Sequence, residues 1–478
     1  MINNIFVNTK NENCNNNKIT NNIIIDSDRS KNGLNIITYN NLNHNLEVNK
    51  IRENNNIIIN NNINRNSNEK DSHNINLEDL NGPTKVVLSK YLSNNLHIPK
   101  CLNENFCYDI KSFNDIAGTP MIGLEEIEKA FYMNAIIQCL SNTYYLTEYF
   151  LNDNNTCFIE GNYIAMKDPN SPQLSPEYKK LIKYLWGASP KNSYTPYNFI
   201  NIVNRINSSI NYFGNNDIKS FVSFIINILH KELNYIGNSF MFKGYLNPPN
   251  QPINQYNSNE VYNSYDYKFK KDNGSIISQY FFGIVQEEVE FKCQNCQNNS
   301  IKYEYKTYDN LEFPLGEIVE NKASNQIPIN EINIIDCFNY YLRDIFCNYE
   351  NCHICGYNRQ IFFRKKFYKL PIYLILLSNR YNNTFNIKMT FPEYFNSSKI
   401  NMNNNDICTY KLYGVIKYFI YNSYDGKFSA YCRSPKDDCW YYYNNNIVEK
   451  INENDKYKIQ EEGITYMLFY TKMNNNSN

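Results

Sequence analysis

The sequence carries no excess of either charge: 47 Lys and Arg stand against 47 Asp and Glu. That balance argues against a general nucleic-acid binder or a basic membrane-surface protein, because both need a field of one sign. No stretch approaches the roughly 18 apolar residues needed to span a bilayer. The opening MINNIFVNTKNENC lacks the basic start and apolar run of a secretory leader, so neither a leader nor a membrane partner is expected. Tight cysteine pairs are scarce. Of 14 Cys, only Cys293/Cys296 and Cys352/Cys355 have C-x-x-C spacing. Mostly free thiols in a reducing compartment, cytoplasm or nucleus, are therefore expected. Histidine is scarce too, with five residues, His44, His73, His97, His230 and His353.

Large rings are abundant, with 43 Tyr and 28 Phe, enough to build a sizeable core despite the polar average. They are unevenly placed. Residues 1–107 are dominated by Asn, and their short apolar runs, such as Ile23-Ile24-Ile25, have no sustained period. Such a segment buries too little apolar surface to offset its conformational entropy, and it reads as disordered low complexity. Residues 108–473 read as the folded domain and 474–478 as a tail. The stretch at about 246–273 reads as a surface insertion.

Within the domain, Met133, Ile136, Ile137 and Leu140 follow i, i+3, i+4, i+7 and form one apolar helix face. Phe221, Phe224, Ile225, Ile228 and Leu229 repeat the pattern. The period then changes. Leu370 to Leu377 reads as a buried strand, and 410–420, 427–433, 440–443 and 464–471 read as further strands. Helices first and strands later predict an α+β domain with a helical lobe facing a sheet lobe.

Five boxes recur in a fixed order. The first runs Gly123-Leu124-Glu125-Glu126-Ile127-Glu128-Lys129-Ala130-Phe131-Tyr132-Met133-Asn134-Ala135 and continues to Asn142. The second runs from Asn215-Asn216-Asp217 to Leu233. The third is Phe282-Gly283 leading to Cys293 and Cys296. The fourth runs from Leu370-Pro371 to Arg380-Tyr381. The fifth joins Tyr410 to Ile416, Gly426-Lys427-Phe428-Ser429-Ala430-Tyr431, and Trp440 to Asn445. Together they resemble the ubiquitin-specific protease family over about residues 118–473. The resemblance implies a papain-like cysteine-protease fold of helical thumb, β palm and zinc-ribbon fingers, with the fingers at about 276–365.

The chemistry of that family needs a thiolate at a helix N-terminus, a histidine to accept its proton, a residue to orient that histidine, and oxyanion donors. The resemblance places Phe131 at the nucleophile, Lys129 at the oxyanion donor, Lys427 at the base and Asn444 at the orienting position. A phenyl ring cannot attack a carbonyl. An ammonium of ordinary pKa about 10.4 has no free lone pair at neutral pH. Cys139 lies about two turns into the first helix and reads as a core residue, and His230 reads as a packed histidine.

Two C-x-x-C turns supply four thiolates, a donor set that suits structural zinc, with Cys347 and His353 as nearby alternative ligands. Four free thiols in a finger that folds without metal is the other reading. The resemblance also makes Asp217 a contact for the basic tail of ubiquitin, while local chemistry equally makes it the N-cap of the following helix. The expected function is a pseudo-deubiquitinase that binds ubiquitin or ubiquitinated protein, or scaffolds other proteins, without thiol hydrolase activity. A hydrolase with unorthodox residues and a relative of the splicing-associated inactive member stand as alternatives.

Overall fold

A computed structural model of the chain describes residues 21–26, 35–40, 120–126, 132–160, 168, 170–187, 192–208, 218–234, 254–323, 330–380, 384, 387–400, 407–422 and 425–473. The chain divides into two units. One comprises 1–104 with 235–247, the other 105–234 with 248–478. In the first unit the described residues form an antiparallel hairpin, β1 (Asn21–Asp26) and β2 (Asn35–Asn40), in which Ile24 faces Ile37 across the ladder. The rest of the Asn-rich segment, and the tail 474–478, lie outside the described residues.

The second unit opens with β3 (Gly123–Leu124) and five helices: α1 (Met133–Ser141), α2 (Tyr144–Leu151), α3 (Thr156–Glu160), α4 (Leu174–Leu185) and, after β4 (Ser193–Tyr194), α5 (Tyr197–Ile206). Then come α6 (Ile218–Leu233), α7 (Ser258–Asp272) and α8 (Ile276–Phe281). The strand-rich part follows: β5 (Gly283–Lys292), β6 (Asn299–Tyr308), β7 (Leu311–Pro314), α9 (Leu315–Ala323), β8 (Glu331–Asn333), α10 (Ile334–Tyr341), β9 (Ile345–Asn351) and β10 (Asn358–Lys369). It ends with β11 (Tyr373–Asn379), β12 (Lys388–Thr390), β13 (Tyr394–Asn396), β14 (Thr409–Asn422), β15 (Asp425–Arg433), β16 (Trp440–Asn444), β17 (Ile447–Lys450), α11 (Lys458–Glu461) and β18 (Ile464–Met473). The helices-then-strands order is the α+β arrangement expected. Among the described residues, no helix is long and apolar enough to cross a membrane.

Every residue of α1 is buried, so this helix is a wedge rather than a surface helix. Its last-turn carbonyls need partners, because no following turn supplies N–H groups. Neighbouring polar side chains provide them: Ser141 Oγ and Asn142 Nδ2 donate to Gln138 O (both 2.9 Å), and Thr143 Oγ1 donates to Cys139 O (3.1 Å). The helix lies against β14 and β15 of the main sheet, whose order is β17-β16-β15-β14-β18-β11-β7 with β13 beside β14.

That sheet is buried on both faces, as strand alternation shows. On β11, Tyr373, Ile375 and Leu377 enter the core shared with α1, α4 and α6, while Leu374 and Leu376 enter a second core under α9 and α10. On β18, Phe469 joins the first core, and Leu468 and Tyr470 join the second. Period-2 alternation normally hides one face. Here both faces are apolar, which is why residues 370–377 read as one unbroken hydrophobic run.

A second sheet, β6-β5-β10-β9, projects as a four-stranded antiparallel ribbon. Of the stretch expected as a surface insertion, the described part contains α7. Asn257 caps it, accepting from the N–H groups of Asn259 and Glu260, and Tyr262 stacks toward Tyr305 and Tyr368 of the ribbon.

Candidate functional site

Lys427 lies near the start of β15, opposite Phe419 of β14. Its ammonium makes a 2.8 Å ion pair with Glu126 Oε2, 301 residues away in sequence. Asn445 Nδ2 donates to the same oxygen (3.2 Å). Asn445 Oδ1 in turn accepts from Asn134 Nδ2 (3.0 Å), which also donates to Glu125 O (3.1 Å). Thus an ammonium, a carboxylate and two carboxamides form one chain of bonds from the exposed edge to the buried start of α1.

Backbone contacts fix the same junction. Leu124 N–H donates to Asn445 O (2.9 Å), and β3 pairs in parallel with β4. A Cβ on Gly123 would fall 2.6 Å from the Asn446 backbone, so only glycine allows this approach. Asn445 adopts φ +52°, a left-handed conformation that asparagine tolerates better than most residues. The residue bridging to Glu126 and Asn134 is therefore Asn445. Asn444, expected at the orienting position, ends β16 opposite Ile447.

Phe131, Lys129 and Asp217 lie outside the described residues. The adjoining Tyr132 is buried and meets Phe221 of α6 edge-on at 5.6 Å. Cys139 is fully buried, its Sγ 3.6 Å from Cys432 Sγ on β15. Burial, and then the hydrogen bond with Cys432, push its thiol well above the ordinary cysteine range. A thiol held protonated in the core is no nucleophile, in agreement with its reading as a core residue.

His230 is buried between Ser275 Oγ (2.7 Å from Nδ1) and Asn273 Oδ1 (3.0 Å from Nε2), as expected of a packed histidine. Burial holds its pKa below the ordinary value. His353 is exposed in the loop between β9 and β10. Among the described residues, no hydrogen bond joins an imidazole to Lys427.

The other constellation sits at the end of the ribbon. The sulfurs of Cys293, Cys296, Cys352 and Cys355 all lie within 4.8 Å of one another. Cys293 and Cys355 are 3.4 Å apart, and Cys296 and Cys352 are 3.6 Å apart. Four thiolates about 2.3 Å from one zinc would be about 3.8 Å from each other, so the donor set and its spread fit a tetrahedral cation. The two turns are built alike. The residue after each second cysteine, Gln297 (φ +51°) and Gly356 (φ +72°), is left-handed. The Tyr357 N–H pulls the Cys355 thiol down to about 6 and the N–H groups of Cys355 and Ile354 lower Cys352, while against the Asn298 N–H the neighbouring thiols, Cys293 first, push Cys296 up to about 12. Cys347 and His353, the alternative ligands, are outside the cluster.

Sequence reasoning missed Glu126, Asn445 and Asn134 as one network. The available signal was opposite charge at Glu126 in the first box and Lys427 in the fifth.

Residues 122–470 match the family model described as Ubiquitin carboxyl-terminal hydrolase. The human protein "Ubiquitin carboxyl-terminal hydrolase 2" is 24% identical over 377 residues, covering 75% of this chain and 56% of that protein. "Ubiquitin carboxyl-terminal hydrolase 4" of Saccharomyces cerevisiae is 24% identical over 396 residues, covering 74% of this chain and 39% of that protein. The chain thus spans about half the length, or less, of these curated relatives. Among solved structures, the Ubp8/Sgf11/Sus1/Sgf73 SAGA DUB module bound to monoubiquitin aligns with TM-score 0.52 at 19% identity, covering 82% of this chain and 75% of that one. A yeast SAGA DUB module with a mutant Sgf73 aligns with TM-score 0.51 at 19% identity, covering 82% of this chain and 74% of that one. At that identity the likeness is one of fold.

Proposed function

Since the chain belongs to the ubiquitin carboxyl-terminal hydrolase family, we propose that it is a catalytically silent member that binds ubiquitin or ubiquitinated protein and serves as a scaffold. The observation that carries this reading is the state of Lys427. The side chain at the position of the base is an ammonium held by Glu126, and it cannot take a proton from an attacking group while that pair stands. Phe131 at the nucleophile position supplies no atom able to attack, and Lys129 and Asn444 complete the degenerate set. The thiol closest in sequence, Cys139, is buried and held protonated.

What remains is a recognition framework. The main sheet is buried on both faces, and the ribbon ends in four cysteines whose chemistry suits a structural zinc. In such a frame, Cys293, Cys296, Cys352 and Cys355 would hold the ion, which supplies cross-linking and no reaction step. The ribbon and palm would then receive the ubiquitin globule, with Asp217 toward its basic tail.

A ubiquitin carrying an electrophile at its C-terminus tests the silent part. The expected result is no covalent adduct after hours at equimolar concentration. An adduct that disappears on substitution of one cysteine would overturn it. Calorimetric titration with unmodified ubiquitin tests the binding part. Saturable one-to-one binding is expected, and no heat or shift at millimolar ubiquitin would refute it.

A further inference from the structure

We propose that β9, the open edge of the ribbon, pairs with β9 of a second copy of this chain, so that two ribbons join into one sheet across a twofold axis. The inference stands apart from the ubiquitin reading and needs no part of it.

The two edges of the ribbon differ. β6 is covered: Tyr303 N–H donates to Gln255 O (3.1 Å), Ser258 Oγ lies 2.6 Å from the Tyr305 hydroxyl, and Tyr262 packs on Tyr305. Among the described residues β9 has a ladder with β10 alone, and six of its seven residues are exposed. Such an edge presents N–H and C=O groups that another strand can complete, and natural edges are blunted by shortness, lysine or proline. β17, at the edge of the main sheet, has four residues and ends in Lys450. β9 is longer and holds neither lysine nor proline. Its one charged residue, Glu350, is neutralised by Arg359 of β10. A bulge at Cys347 is its one irregularity, between the pairs Phe346–Phe362 and Asn348–Ile361. The rings of Phe346 and Tyr349 meet across it at 5.0 Å.

The surface along this edge is apolar. Ile345, Phe346 and Tyr349 on the strand, and Ile354 and Tyr357 in the cysteine turn that follows, are all exposed. Cys352 N–H donates to Tyr357 O (2.8 Å), which holds that turn beside the end of β9. At about 200 Å² per fully exposed residue, these five leave about 550 Å² open on each copy, or about 1,100 Å² on two, the size at which a specific protein interface begins.

The strand is also compatible with itself. An antiparallel overlap that keeps all seven residues sets Asn348 opposite the partner's Asn348 and Glu350 opposite the partner's Phe346. No carboxylate then faces another, the arrangement that would oppose pairing.

The test uses the full chain. Sedimentation is expected to show the mass rising from one copy to two across the micromolar range. Phe346→Lys with Tyr349→Lys, at two exposed positions, is expected to weaken association at least tenfold. Tyr197→Lys, at a comparably exposed ring on α5, is expected to leave it unchanged. A wild type that stays a single copy throughout, or a dimer that the double variant does not weaken, would overturn the pairing. Hydrogen exchange reads the same contact without any variant. The outward amides of β9 are expected to exchange at least fivefold more slowly in the dimer than in the diluted chain, with β5 and β18 unchanged. Equal rates in a dimer would place its contact elsewhere and refute the proposal. Protection that appears only on adding ubiquitin would assign the edge to that protein and refute it equally.

Discussion

Two sheets of one chain are held together by different forces. The main sheet is apolar on both faces. Leu374, Ile375, Leu376, Leu468, Phe469 and Tyr470 are all at or below 1% exposure. The ribbon exposes or half-exposes most of its side chains, and its middle is a ladder of opposite charges. Glu287 faces Lys365 and Glu288 faces Arg364 across β5 and β10. Lys366 reaches Glu288 at 2.8 Å, Lys306 reaches Glu287 at 2.6 Å, and Arg364 pairs with Glu290. Pairs of this kind that stay open to solvent each contribute little. The described residues of the ribbon thus form little apolar core of their own, and a cation held by the four cysteines at its end would supply the cross-link that such a small sheet needs. The main sheet needs no such clip.

The largest effect expected from this contrast follows metal removal. Structural zinc contributes on the order of 10 kcal/mol to the folding of the segment it ties. Cys352→Ser, or a strong chelator, should release stoichiometric zinc and expose residues 293–355 to proteolysis while β11 and β18 keep their exchange protection. Simultaneous melting of both sheets would erase the distinction.

Next in size is the loss of a palm ring. Phe469→Ala should cost about 3–5 kcal/mol in urea denaturation and lower the stability of the whole unit.

A smaller effect is tied to pH. The His230 pKa is depressed in the fold by burial, so the neutral form is preferred there. Its contribution is fully present above the ordinary value of 6.5 and is lost as pH falls from there through the lowered folded value. His230→Gln should flatten the decline of stability below pH 6.5, read from denaturation midpoints across pH 5 to 8 (about the range in which imidazoles titrate).

The smallest effects lie in the charge ladder. Glu288→Gln, at a buried carboxylate, should cost about 1 kcal/mol. Glu304→Ala, at an exposed one, should change stability by less than about 0.5 kcal/mol. Equal costs at the two positions would show that burial is not what ranks these pairs.

Much of the architecture was legible beforehand. Spacing alone indicated α1, whose predicted face Met133, Ile136, Ile137 and Leu140 is fully buried. Runs and breakers located β11, β14, β15, β16 and β18 to within a few residues. The C-x-x-C pairs announced their own cluster, because four sulfurs in two tight turns have little else to form. α7 was not recognised, since its Tyr and Asn content conceals a helix that gains its stability by packing on the ribbon. The Cys139–Cys432 contact and the Glu126–Lys427 pair were not legible either. Each joins residues about 300 positions apart, and no local period reports on such partners.

The sequence by itself determined the element order and the four sulfur donors, and its five ordered boxes pointed to the family. Local pattern and composition carry that information, because helix and strand periods and short ligand spacings are properties of neighbouring residues. Tertiary structure alone decided that Lys427 is neutralised by Glu126, that Asn445 is the bridging carboxamide, and that Cys139 is held protonated against Cys432. Those outcomes depend on which distant side chains are brought within about 3–4 Å, where Coulomb attraction, hydrogen bonding and desolvation act.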